Sequence, residues 1–190
     1  MSTVESSPVI DRATMLDNVE VRFSKEQIEK RIEEMGQEIN KVYKDSKRII
    51  VIGILRGSIL FMSDLIRQIE APCHIEFVRL SSYGNEKSSS GNVRPVDLTL
   101  PKLEGEDVLI VEDIVDTGLT MKFFKEYLTG LHKTKSLRIA TFLDKPEARK
   151  ENVHIDFTGF SVSNEFLIGY GLDYAGYYRN LPYIGVVNDN

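Results

Sequence analysis

Val108-Leu109-Ile110-Val111-Glu112-Asp113-Ile114-Val115-Asp116-Thr117-Gly118-Leu119-Thr120 carries the decision on fold and chemistry alike. Four apolar residues lead to two adjacent carboxylates, then to two more apolar residues, then to Asp-Thr-Gly-x-Thr. A short run this apolar marks a strand buried on both faces, expected over 108–111. The residues from Leu119 to Leu131 read as a helix that Gly130 helps to end. Glu112 and Asp113 therefore fall at the carboxyl end of a central strand, where open α/β sheets hold their ligands. Gly118 permits close backbone approach, Thr117 and Thr120 offer hydroxyls, and the free N–H groups of the helix start add donors in a favourable dipole. A phosphate suits residues 116–120, with Glu112 and Asp113 reaching hydroxyl groups or a divalent cation. Carboxylates repel a bare anion, so a sugar phosphate carrying Mg²⁺ fits better. Solvated acids at a strand end, with Asp116 as a plain helix N-cap, would account for an isolated Asp-Thr-Gly but not for the whole pattern.

Working outward, the same alternation recurs. Ile49–Leu55 is a second continuous β-branched run, followed by the polar turn Arg56-Gly57-Ser58 and a helical pattern over 59–69. Upstream, Ser24 and Gln27 have the spacing of a capping box, flanked by Phe23 and Ile28 as a hydrophobic staple. Ile28, Ile32, Met35, Ile39 and Val42 then mark one face of an α-helix. Further strands are expected over 74–80, near 96–100, and over 136–143, 155–162 and 184–187. Strand–helix alternation with runs this apolar means an α/β domain with a largely parallel sheet. Residues 1–15 read as a peripheral arm. The polar stretch 81–95 is too long for a simple turn and reads as a lid or a surface loop.

Composition narrows the classes. The 190 residues carry a net charge of −5 and are 42% hydrophobic, which suits one compact domain over 1–190. The longest apolar run, Ile49–Leu55, is far short of the roughly 20 residues that cross a bilayer. The first residues have neither a basic start nor an apolar core, so a secretory signal is not expected, and a cytoplasmic location is. Cys73 is the single cysteine, which excludes an intrachain disulfide and a cysteine-based zinc cluster. The acidic balance speaks against nucleic-acid binding through bulk charge. His74, His132 and His154 match no triad or metal spacing.

The segment 108–120 resembles the 5-phosphoribosyl-1-pyrophosphate (PRPP) signature of the type I phosphoribosyltransferases. Other segments narrow the resemblance to the hypoxanthine-guanine phosphoribosyltransferase family. Leu55-Arg56-Gly57-Ser58 is similar to its pyrophosphate loop, and Ser81-Ser82-Tyr83-Gly84 with Ser90-Gly91 to its lid. Leu143-Asp144-Lys145-Pro146 resembles the purine-recognising Lys segment. Residues 165–174, Glu-Phe-Leu-Ile-Gly-Tyr-Gly-Leu-Asp-Tyr, resemble the purine-stacking and metal segment, with Tyr178-Arg179 after it. The matches run in the family's order over about residues 15–188.

The resemblance implies a central, mostly parallel sheet flanked by helices, with a small hood subdomain. It implies PRPP and nucleotide-phosphate binding by Glu112, Asp113, Ile114, Val115, Asp116, Thr117, Gly118, Leu119 and Thr120, with Asp116 as general base. It implies pyrophosphate binding by Arg56, Gly57 and Arg179, and purine binding by Lys145, Phe166, Leu167 and Asp173. Leu167 stands where many relatives carry Val and would offer backbone groups to the base edge. Ser82 and Tyr83 would belong to the lid, and Glu112, Asp113 and Asp173 would serve Mg²⁺. The implied substrates are PRPP and a 6-oxopurine, and the implied assembly is a homodimer or homotetramer, without membrane or nucleic-acid partners. Chemistry agrees at Lys145: an ammonium there accepts a 6-oxo group and disfavours adenine's amino group, where two donors would face each other. Transferases for xanthine, orotate or uracil, and a regulatory protein binding RNA or DNA, are the rival readings.

Overall fold

The computed structural model describes residues 19–83, 92–97 and 99–187. The arm 1–15 and lid residues 84–91 lie outside the described residues. A first strand, β1 (Val19–Phe23), precedes α1 (Lys25–Tyr43). The capping box at the start of α1 is complete, with Ser24 and Gln27 bonding reciprocally. Its buried face is Ile28, Ile32, Met35, Gly36, Ile39 and Tyr43. Val42, expected on that face, is exposed instead. A spacing of 3.6 residues per turn carries the stripe from Ile39 to Tyr43, whose large ring then enters the core.

β2 (Ile49–Leu55) leads through residues 56–58 into α2 (Ile59–Ile66). β3 (Cys73–Tyr83) and β4 (Asn92–Asp97) pair antiparallel, Ser82 opposite Val93 and Tyr83 opposite Asn92. The stretch expected as loop over 81–95 is therefore strand at both ends, because its polar residues sit on an outer ladder that needs no apolar pattern. β5 (Asp107–Val115) runs four residues past its expected end, and α3 (Leu119–Leu131) follows. β6 (Ser136–Asp144), β7 (Phe157–Ser161), β8 (Leu167–Ile168) and β9 (Ile184–Val187) complete the order.

The larger sheet has the order β4-β3-β2-β5-β6-β7, parallel except for β4, and β1-β9-β8 form a small second sheet. Along β2, Ile49 and Val51 pack with α1 and α2 on one face, while Ile50, Ile52 and Ile54 join Met121, Phe124 and Leu128 of α3 on the other. From the centre, β2-α2-β3 winds one way and β5-α3-β6 the other, so right-handed crossovers need helices on opposite faces, as found. The winding reverses between β2 and β5. Ligand crevices form at the carboxyl ends of such a pair.

The opposite end of the sheet is tied by Asp107. Its buried carboxylate accepts from Ser46 (2.7 Å), Lys135 (2.7 Å) and Ser136 (2.6 Å). Burial pushes this carboxyl upward, yet the three donors hold it below its ordinary value of 3.8. A depressed carboxylate stabilises the fold above its unfolded value, and that contribution is lost as pH falls through the folded value. Asp107→Asn is expected to cost about 2 kcal/mol at neutral pH. Urea midpoints will show the gap from wild type narrowing as pH falls below the ordinary carboxylate range; a gap independent of pH would exclude this role.

Candidate active site

The loop after β5 is built for an anion and braced from behind. Gly118 takes φ 80° at the N-cap of α3, in the left-handed region, and a Cβ there would press on the Glu151 carbonyl. Thr117 Oγ1 accepts from Leu119 N at 3.4 Å. The Thr117 carbonyl accepts from Lys150 N at 2.9 Å and Glu151 N at 3.0 Å, and Lys122 Nζ pairs with Glu151 at 2.7 Å. A cavity of about 90 Å³ opens here, walled by Glu112, Ile114, Val115, Asp116, Thr117, Gly118 and Thr120, with Met121. Among the expected phosphate residues, Asp113 and Leu119 do not line it.

Asp113 is elsewhere because β5 continues to Val115, with Glu112 opposite Thr141 and Ile114 opposite Leu143. Adjacent residues of a strand point to opposite faces. Glu112 thus faces the cavity, and Asp113 faces the loop after β2. There Gly57 lies so close to the Asp113 carboxylate that a Cβ would overlap it. Burial pushes the Asp113 carboxyl up to about 6, against hydrogen bonds from its own and Ile114's backbone N–H and the nearby Arg179 charge. Burial, then the Asp113 charge, raises Glu112 well above the carboxylate range. Glu112 as a residue is half-buried, but its Oε2 is shut off from solvent without a hydrogen-bond partner among the described residues.

The loop after β2 begins with a cis peptide between Leu55 and Arg56. Ser58, fully buried, donates to the Ile54 carbonyl at 2.5 Å. Arg56 points outward. Residues 169–179 close over this loop: a Cβ on Gly171 would overlap the Gly57 carbonyl. Arg179 donates to the Gly171 carbonyl (2.6 Å) and pairs with Asp173 (2.6 Å), whose other oxygen accepts from Gly176 N at 2.7 Å. Among the described residues no three His, Cys, Asp or Glu side chains gather to hold a metal ion. The expected set of Glu112, Asp113 and Asp173 is therefore not one preformed cluster: the first two face apart, and Asp173 is engaged by Arg179.

On the other side, Lys145 lies just beyond β6, its N–H bonded to the Val115 carbonyl at 2.9 Å. Its side chain is 8% exposed, and Nζ donates to the Glu165 carbonyl at 2.7 Å. Next to Glu165 stands Phe166, 52% exposed, its ring edge-on to Tyr174 at 5.7 Å. Leu167 is buried in β8 against β9, so its side chain is core. The sequence reading missed Arg149, which pairs with Asp144 and packs beneath Gly118, its Nη1 shielded and unpartnered among the described residues. An arginine four residues past Lys145 was the available signal.

A doubly wound sheet with the α3 helix start and the Gly57 loop on either side of its β2–β5 crevice has the architecture of a type I phosphoribosyltransferase. The phosphoribosyl transferase domain family matches residues 23–175. The chain is 46% identical over 171 residues to a hypoxanthine-guanine phosphoribosyltransferase of Bacillus subtilis, covering 90% of this chain and 94% of that protein. It is 45% identical over 174 residues to a hypoxanthine phosphoribosyltransferase of Salmonella typhimurium, covering 91% and 97%. The crystal structure of a Staphylococcus aureus hypoxanthine phosphoribosyltransferase superposes with a TM-score of 0.86 at 40% identity, over 94% of this chain and 97% of that one. The chain belongs to the hypoxanthine(-guanine) phosphoribosyltransferase family.

Proposed function

We propose that the chain transfers the 5-phosphoribosyl group from PRPP to N9 of hypoxanthine or guanine, giving IMP or GMP and pyrophosphate. That makes it a pentosyltransferase of purine salvage. The observation that carries the reading is the Lys145 ammonium, fixed at 2.7 Å on the carbonyl of Glu165, the neighbour of exposed Phe166, while the Lys145 N–H bonds Val115 of the phosphate cavity wall. A base stacked on Phe166 meets a donor at its 6-position, which an oxo group satisfies and an amino group does not.

The residues divide the work by position. Thr117, Gly118 and Thr120, with the N–H groups of the α3 start, cradle the 5′-phosphate. Glu112, on the cavity wall, accepts from a ribose hydroxyl. Asp116, on the cavity wall, takes the purine N7 proton. Arg56, the Gly57 backbone and Arg179 receive the charge that builds on pyrophosphate. Asp113, whose ionisation the nearby Asp173 charge opposes, and Asp173 itself offer carboxylate oxygens to a hard cation and would hold Mg²⁺ through oxygen. Bound there, Mg²⁺ would neutralise charge on the leaving diphosphate.

No helix among the described residues is long and apolar enough to cross a membrane. A cytoplasmic location and a homodimer or homotetramer complete the proposal, the latter supported by Ile75 and Phe77, exposed on one face of β3.

The test is pyrophosphate release from PRPP and Mg²⁺ with hypoxanthine, guanine, xanthine, adenine, orotate or uracil offered singly. Release with hypoxanthine or guanine, and none with adenine or the pyrimidines, is expected; silence with every base overturns the reading. Lys145→Met, which keeps length and apolar packing, is expected to lower kcat/KM for hypoxanthine about 10- to 100-fold. Adenine use stays low but loses less, so discrimination narrows. Unchanged discrimination would remove Lys145 from base recognition.

A further inference from the structure

Tyr170 stands outside the roles assigned so far, and its surroundings single it out. It is a bulky residue at φ 44°, a backbone region that side chains of its size rarely occupy. Such a conformation persists only where its neighbours over-determine it. Here the Tyr170 N–H donates to the Leu181 carbonyl at 2.9 Å, and its ring, 7% exposed, lies 5.0 Å from that of Phe142. Its hydroxyl donates to Asp64 Oδ2 at 2.5 Å. Burial, then the bond to Asp64, raises the phenol above its ordinary range, so it remains a donor.

Asp64 belongs to α2, the helix that leaves the Gly57 loop. Gly171, the residue after Tyr170, rests on the Gly57 carbonyl and exchanges hydrogen bonds with Arg179, donating at 2.9 Å and accepting at 2.6 Å. The phenol–carboxylate bond therefore joins the two halves of the pyrophosphate site from behind. We infer that Tyr170 is a positioning residue: its O–H bond to Asp64 locks the turn 169–173 onto α2 and so holds Gly171, Arg179 and Asp173 against the Gly57 loop. The inference rests on the transfer reaction proposed above. The purine half touches this segment where the Phe166 ring meets Tyr174, but it has ties of its own, Val187 N on the Phe166 carbonyl (3.2 Å) and Lys145 on the Glu165 carbonyl (2.7 Å). Those separate ties make the consequence asymmetric.

Tyr170→Phe removes one oxygen and leaves the ring. KM for PRPP and the Kd of pyrophosphate with Mg²⁺ are expected to rise about tenfold, while KM for hypoxanthine stays within about twofold. Asp64→Ala should reproduce the effect, the double variant should be no worse than either single one, and Asp64→Asn, which keeps an acceptor oxygen, should be milder. A lower Tm with both KM values unmoved at 25 °C would show a merely structural bond and overturn the inference. So would equal rises for both substrates, or additive single effects. If wild-type protein transfers nothing to any base, the proposed reaction fails. Calorimetric binding of pyrophosphate with Mg²⁺ then still decides the Tyr170 role: weakening in Tyr170→Phe supports it, and wild-type affinity refutes it.

Discussion

Asp116→Asn lowers kcat by about 10²- to 10⁴-fold, the range expected for losing a general acid–base group, while KM for PRPP and for hypoxanthine changes little. The asymmetry follows from where Asp116 sits. Its side chain is exposed on the wall of the cavity, in the loop that the backbone of Lys150 and Glu151 pins through the Thr117 carbonyl. Asparagine has the same shape and disturbs none of those bonds, so the phosphate cradle keeps its donors. It cannot take a proton. The purine gains acidity at N7 as N9 bonds to the ribose, and without a carboxylate that charge is unrelieved in the transition state, where only differential interactions count. Steady-state kinetics on the folded variant decide it, and a kcat near wild type would remove Asp116 from the proton transfer.

What the sequence made legible, and what it hid, divides along physical lines. Ile49–Leu55 and the α3 span were readable residue for residue because both are apolar signals that burial enforces locally. β5 was not readable past Val111, since Glu112 and Asp113 break the apolar run while the backbone ladder to β6 carries on. That error mattered: two carboxylates beyond a strand end could act as a pair, whereas on a strand they serve opposite faces. β1 and β8 escaped notice for a different reason. Both pair with β9, which lies far from β1 along the chain, and β8 has only two residues. Phe166 and Lys145 carry site features that motif position pointed to, but the Lys145 bond to Glu165 exists only once β6 and the second sheet meet. Tyr170 and Asp64 are 106 residues apart, and neither has a pattern of its own. Local periodicity reveals cores; contacts between distant loops emerge only from the fold.

Gly57→Ala is expected to lower kcat/KM for PRPP by at least about 100-fold, because misplacing a group by about 1 Å at a preorganised site can cost that much. Gly57 is buried between two fixed neighbours. On one side a Cβ would occupy the space of the Asp113 carboxylate, which backbone N–H groups hold in place at the end of β5. On the other, the Gly57 carbonyl is already in contact with Gly171. The methyl group can be admitted only by turning Asp113 away or by lifting the loop off Gly171, and either movement dismantles the pyrophosphate side of the site. Overpacking of this kind costs about 1–3 kcal/mol of stability, so the variant should fold, with a lowered Tm and an unaltered circular dichroism spectrum. The phosphate cavity and Lys145 lie on the other face of β5 and beyond β6, and binding of IMP is therefore expected to survive. IMP affinity close to wild type together with lost PRPP turnover is the expected signature. PRPP kinetics within about twofold of wild type would mean that Asp113 and Gly57 do not act as one unit, and the assignment of the β2 loop to pyrophosphate would fall with them.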